Sequence, residues 1–165
     1  MISYILAGVV AAGLLIIDQV VKAAVSSGFS LGDSFTLVKG LLNFCYIHNT
    51  GGAWGVLSGY TGLLVLITVI VMIACIAWLV LKGYRNKMIF WATCLIISGG
   101  LGNMIDRIFR NGKVIDFLQF GFWEDFPVFN IADCAIVVGC GLLILYFAID
   151  TVKDFKKRKN DNGNS

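Results

Sequence analysis

Two carboxylates confined in one place do not easily both ionise, and a pair sharing one proton can activate water with one member and polarise a carbonyl with the other. Asp116 and Asp133 are the candidates for such a pair in this chain. Asp116 sits in apolar company, Val114-Ile115-Asp116-Phe117-Leu118, and Asp133 follows Asn130 at the head of a long apolar run. Further polar residues cluster at the ends of other apolar runs: Asp18 with Lys22, then Asn103 with Asp106 and Arg107. A charge at the edge of lipid is costly and is kept for a function or a partner.

Each group also has a plainer reading. Asp18 and Lys22 stand at i and i+4 on one helix face, the spacing of a structural ion pair, although either could hold a substrate. Asn103, Asp106 and Arg107 share a face at i, i+3 and i+4. They could tie a helix down, or Arg107 could clamp a carboxylate or carbonyls with its fork of donors. Asn130 followed three residues later by an acid is a capping-box-like helix start. Asp116 taken alone reads as a solvated loop acid. The single histidine, His48, has no evident nucleophile beside it, so Ser-His-Asp or Cys-His chemistry has little support.

The elements that must position these residues are membrane spans. The chain of 165 residues is 58% hydrophobic and 14% charged, well below the ~25% charge of soluble domains. Its mean hydropathy is +0.85. Spans are expected over about 4–25, 61–81, 88–105 and 131–149, each near the ~20 residues that cross a bilayer, and helical because lipid cannot satisfy backbone polar groups. The first lacks a basic head and is interrupted by Asp18 and Lys22, so it is expected to be retained rather than cleaved. Of the 13 Lys and Arg residues, Lys82, Arg85 and Lys87 lie in the turn between spans two and three, and five more lie between Lys153 and Lys159. That turn, the tail and therefore both termini are expected in the cytoplasm. The long connections, about 26–60 and 107–129, then lie outside, and all the polar groups meet near the outer face.

One domain is expected over 1–155, with a basic, disordered tail over 156–165. The patch Ser34-Phe35-Thr36-Leu37-Val38 suggests a small strand pair, and Asn49 to Gly55 a turn where backbone approaches something closely. The aromatic-rich stretch from Asp116 to Phe129 suits the interface. Five cysteines, with no CxxC pair, give no disulfide framework or zinc site. The basic run lacks interleaved aromatics, so nucleic acid is not an expected partner.

Together these residues resemble the signal peptidase II family, the bacterial lipoprotein signal peptidases. The resemblance rests on five motifs in order: Asp18-Gln19 with Lys22; Asn49-Thr50-Gly51-Gly52-Ala53-Trp54-Gly55; Gly99 through Asn103 to Asp106-Arg107; Val114-Ile115-Asp116-Phe117; and Phe129-Asn130-Ile131-Ala132-Asp133. It implies an all-α membrane fold of four transmembrane helices with a small extracytoplasmic β-sheet and an interfacial helix, fitting the loops Phe29 to Ser58 and Asp116 to Phe129. It implies an aspartic endopeptidase of the cell membrane that cuts prolipoproteins before a diacylglyceryl-modified cysteine. By motif, Asp116 and Asp133 are then the catalytic dyad. Asn49, Gly51, Asn103, Arg107 and Asn130 line or support the site, and Asp18, Lys22 and Asp106 stabilise it. No cofactor and no metal are implied. The partners are lipid-modified prolipoproteins and membrane lipids, and the enzyme is expected to be a monomer. Helix-dipole bias would leave the anion on Asp133 and the shared proton more often on Asp116. Two other classes compete: a magnesium-dependent membrane phosphotransferase, disfavoured because the acids are spread singly, and a small transporter, disfavoured because the polar residues gather at one face.

Overall fold

In the computed structural model of the protein, residues 1–81 and 85–163 are described, their side chains as far as residue 156. Four helices carry the chain: α1 (Ile2–Gly28), α2 (Thr61–Leu81), α3 (Lys87–Phe109) and α4 (Ile131–Gly163). All four are long and apolar enough to cross a membrane. Each begins or ends close to an expected bound except α4, which continues to Gly163 through residues expected to form a disordered tail. Residues 164–165 of that tail and Lys82 of the expected cytoplasmic turn lie outside the described residues.

Local chemistry sets the helix starts. Asn86 caps α3, its side-chain oxygen accepting from the backbone N–H groups of Met88 at 2.9 Å and Ile89 at 3.2 Å. Asn130 caps α4 in the reciprocal arrangement its spacing suggests. Its Oδ1 accepts from Asp133 N at 3.0 Å, and its own N–H donates to Asp133 Oδ2 at 3.0 Å.

Helix α3 is the hub and packs closest to α4, because small residues let the two backbones meet. A Cβ at Gly99 would collide with the Ala132 carbonyl, and one at Gly102 would stand 2.8 Å from Asp18 Oδ2 and 3.0 Å from Ala132 Cβ. Across the seam, a Cβ on Gly139 of α4 would lie 2.8 Å from the Ala92 carbonyl oxygen. Helix α2 leans on α3 and contributes no buried residue, while its Trp78 stacks on Phe147 of α4 with centroids 5.7 Å apart.

The two long connections build a three-stranded antiparallel sheet in the order β1 (Ser34–Val38), β2 (Leu42–Asn49), β3 (Val114–Phe120). The β1–β2 pair is the expected one. Strand β3 is not: the segment beginning at Asp116 was expected to hold an interfacial helix. Among the described residues it is instead a strand paired to β2 and then turns, closed by a bridge between Leu118 and Phe129. The helical piece of these connections is a single 3-10 turn, Ala53–Gly55. The reason is burial on both faces. Val114, Ile115, Asp116 and Phe117 are all buried, which a helix lying on the membrane surface could not achieve. Val25 of α1, Phe44 and Tyr46 of β2, and Ile115 and Phe117 of β3 form a small core that fixes the sheet to the end of the helix bundle.

The α3–α4 seam is therefore expected to be intolerant of volume. Gly99→Val should destabilise the protein by about 3 kcal/mol through overpacking, whereas Gly13→Ala, which would meet nothing within 4 Å, should change stability by no more than about 0.5 kcal/mol. Thermal unfolding of the two variants in detergent checks this.

Candidate active site

The polar residues from α1, α3, β3 and α4 meet at the sheet end of the bundle in one hydrogen-bonded cluster. At its centre is Lys22, fully buried, with three acceptors for its three protons: Asp18 Oδ2 at 3.0 Å, Asp106 Oδ2 at 3.1 Å and Asn103 Oδ1 at 3.0 Å. Asp18 Oδ1 accepts from Ala132 N at 2.9 Å, so an α1 side chain caps one of the free N–H groups opening α4. Asp106 Oδ2 also accepts from Ile115 N at 3.1 Å, which pins the start of β3. Its Oδ1 faces Arg110 Nε at 3.2 Å.

Asp116 and Asp133 stand one step further on. Asn130 holds both: its Nδ2 donates to Asp116 Oδ1 at 2.6 Å while its backbone N–H donates to Asp133 Oδ2. Asn103 Nδ2 donates to Asp133 Oδ1 at 2.7 Å, and Asn103 Oδ1 accepts from Asn130 Nδ2 at 3.0 Å. From the far side Asn49, at the end of β2, donates through Nδ2 to Asp116 Oδ2 at 2.9 Å. Two features bring Asp116 and Asp133 into one place. The β2–β3 register sets Ile47 opposite Asp116, and the bridge to Phe129 bolts β3 to the residue before the α4 cap.

The loop after β2 is clamped as tightly. Asn49 Oδ1 accepts from Gly51 N at 2.8 Å, and Gly51 O accepts from Arg107 Nη2 at 2.9 Å. A Cβ on Gly51 would stand 2.9 Å from the backbone of Gly55 and Val56, which is the close approach expected of this turn. The buried Nε of Arg107 has no hydrogen-bond partner among the described residues.

Both acids line a cleft of about 590 Å³ walled by Trp54, Phe120, Phe126, Phe129 and Val137. Trp54 and Phe126 meet edge to face across it, with centroids 5.6 Å apart. A second cavity of about 260 Å³, lined by α2, α3 and α4, reaches Asn103, Arg107 and Asp133 from the other side. Burial, with the Asp133 carboxylate nearby, pushes Asp116 up to about 7, against the pull of the Asn49 and Asn130 donors and of Lys22. Asp116 therefore holds a proton more readily than an ordinary aspartate.

All ten residues singled out from sequence fall in or against this cluster. His48 lies apart on β2, its ring bonded to the Tyr46 hydroxyl at 2.9 Å. Sequence reasoning gave no role to Gln19, whose amide donates to Asp18 Oδ2 at 3.1 Å and to Gly102 O at 3.1 Å. It also missed Arg110, although the i+4 spacing from Asp106 was there to be read. The second cavity had no sequence signal, since its α2 wall is ordinary apolar sequence.

Such a polar cluster at one end of four membrane-length helices defines the class: a multi-pass membrane protein whose site is sunk beside its apolar helices. The sequence pattern of the family described as Signal peptidase (SPase) II matches residues 10–149, and the chain belongs to that family, whose activity is proteolytic. It is 36% identical over 152 residues to a lipoprotein signal peptidase of Staphylococcus haemolyticus (strain JCSC1435), covering 92% of this chain and 93% of that protein. It is 40% identical over 136 residues to one from Halothermothrix orenii, covering 81% and 88%. A bacterial membrane enzyme solved in meso at 2.3 Å superposes with a TM-score of 0.83 at 36% identity, covering 92% of this chain and 90% of that one. A second, at 1.9 Å, gives 0.78 at 35% identity, covering 89% and 93%.

The mutual influence of the two acids is measurable. Infrared difference spectra should show the Asp116 carboxyl titrating near pH about 7, and Asp133→Asn should move that midpoint down because a like charge is gone. An unmoved midpoint would mean the two groups do not sense one another.

Proposed function

We propose that this protein is an aspartic endopeptidase that removes the signal peptide from lipid-modified prolipoproteins, with Asp116 and Asp133 as its catalytic pair. The observation that carries this reading is that one residue, Asn130, holds both carboxylates at the wall of an apolar cleft. In a paired site one carboxyl keeps a proton while the other is ionised. The raised midpoint of Asp116 and the place of Asp133 in the first turn of α4 favour the proton on Asp116.

The reaction follows from that division. Asp133 takes a proton from water as the water oxygen bonds to the scissile carbonyl carbon, and Asp116 gives its proton to the carbonyl oxygen. The tetrahedral diol then collapses: Asp116 recovers the hydroxyl proton, Asp133 passes its proton to the departing nitrogen, and the C–N bond breaks to release acid and amine. Arg107 lines both cavities, and its guanidinium is offered to a substrate carbonyl in this reading. Two apolar approaches to one polar site suit a precursor with an apolar helix on one side of the scissile bond and acyl chains on the other.

The basic residues Arg85 and Lys87 lie at the end of the bundle opposite the sheet. By the positive-inside rule that end faces the cytoplasm, so the cluster sits at the outer interface, where the lipid anchor of such a precursor lies. The protein acts as a monomer in this reading.

Asp116→Asn and Asp133→Asn should each lower cleavage of a lipidated precursor by at least about a thousandfold while the protein still inserts and melts normally. The unlipidated precursor should be cut poorly by the unaltered enzyme. Near-normal turnover by either variant would remove that residue from the pair.

A further inference from the structure

We propose that Lys22 is a positioning residue for the hydrolysis: its ammonium fixes which way the Asn103 amide faces, and it balances the buried charges so that one proton stays on the aspartate pair. This rests on the reading of Asp116 and Asp133 as that pair.

The first half follows from donor and acceptor inventory. An ammonium donates only, and all three of its protons are taken, so Lys22 gives no hydrogen bond to Asp116 or Asp133 and acts on them through its charge and through Asn103. A side-chain amide can reverse at little steric cost, and its direction is set by its neighbours. Lys22 forces Asn103 Oδ1 to face it, which turns Nδ2 onto Asp133 Oδ1. The same oxygen accepts from Asn130 Nδ2, which also donates to Asp116 Oδ1. One cation that cannot reverse thus sets the polarity of the chain of amides that presents a donor to each acid. A reversed Asn103 would set N–H against N–H at Lys22 and oxygen against oxygen at Asp133.

The second half is charge balance. Three cations, Lys22, Arg107 and Arg110, accompany four acids, Asp18, Asp106, Asp116 and Asp133. Counted with Arg110, whose side chain is 32% exposed at the edge of the cluster, the sum is zero when one proton resides among the four. Net charge is penalised in a desolvated site, and Asp18 and Asp106 spend their oxygens as acceptors for the ammonium and for the N–H groups of Ala132 and Ile115, which leaves the other two as the place for a proton. The remaining groups facing the cluster do not alter the count. They are Gln19 from α1, Asn103 from α3, Asn130 from α4 and Asn49 from β2, all neutral, and the Cys134 thiol of α4, which lines the cleft beside Asp133 and carries no charge while protonated. Beyond them His48 lies near Arg110 and Lys113 outside the cleft, and its ring is pushed down by burial and by those two cations. Without Lys22 a second proton is needed for neutrality, and a doubly protonated pair has no base.

The test is cleavage of a lipidated precursor by the full-length enzyme in lipid nanodiscs across a pH range. Lys22→Met should raise the acidic limb of the kcat profile by about one pH unit. Lys22→Met combined with Asp18→Asn removes one charge of each sign and keeps an oxygen for Ala132 N. It should fold, hold KM within about threefold and lower kcat by about tenfold or more. Lys22→Arg should recover part of the loss. A folded double variant with unaltered kcat, or a folded Lys22→Met with an unmoved acidic limb, would overturn the proposal. Should the variants not fold, the unaltered enzyme decides: the ¹⁵N signals of the Lys22 ammonium and the Asn103 amide should shift with the midpoint of the acidic limb, and signals flat through that range would overturn it. Loss of cleavage in Asp116→Asn and Asp133→Asn beside normal Lys22 variants would sink this inference alone; cleavage by those aspartate variants would sink the reading beneath it.

Discussion

The structure depends on the desolvation of one ammonium. Lys22 is wholly removed from solvent, and so are Asp18 and Asp106, its ionic partners from α1 and α3. Such an ensemble is tolerable only with every donor and acceptor matched, since one orphaned charge in a dry site costs several kcal/mol. Matching is what fixes positions. Asp18 can serve Lys22 only while also serving Ala132 N, and Asp106 only while serving Ile115 N. The ammonium thereby sets where α4 begins and where β3 leaves α3.

The close approach of α3 and α4 serves the same end. Gly102 leaves room for the Asp18 carboxylate and for Ala132 together, and Gly99 lets the Ala132 carbonyl come down onto α3. With a larger residue at either place, Asp18 could not reach over α3 to the head of α4. The seam of small residues and the ionic cluster are thus two parts of one device, the first giving proximity and the second direction.

Much of this was legible in the sequence because hydropathy reports spans directly, and polar residues that interrupt spans stand out against them. The i, i+4 spacing of Asp18 and Lys22 and the Asn130–Asp133 cap were readable because both are local. The cap also illustrates that a structural reading and a functional one need not exclude each other: the same Asn130 that starts α4 reaches Asp116. Strand β3 was not legible. Its aromatic continuation, Phe120, Phe122, Trp123 and Phe126, has the composition of an interfacial segment, and the pairing that makes residues 114–120 a strand comes from β2, some 70 residues earlier, by the Asn49–Val114 register. Gln19 was passed over because a neutral amide beside a charge carries no signal of its own. The extension of α4 to Gly163 was hidden by charge, which lowers hydropathy without forbidding a helix.

Helix α2 gives no side chain to the ionic cluster and buries none of its residues, yet it forms one wall of the cavity that touches Asp133. Its composition is that of a membrane span and its protein contacts are few, so apolar packing on α3 is what keeps that wall in place. The polar cluster is held by matched hydrogen bonds that α2 does not share, so the two sides of that cavity are kept in place by different means: one by donors and acceptors in register, the other by apolar contact with α3 and the stacking of Trp78 on Phe147.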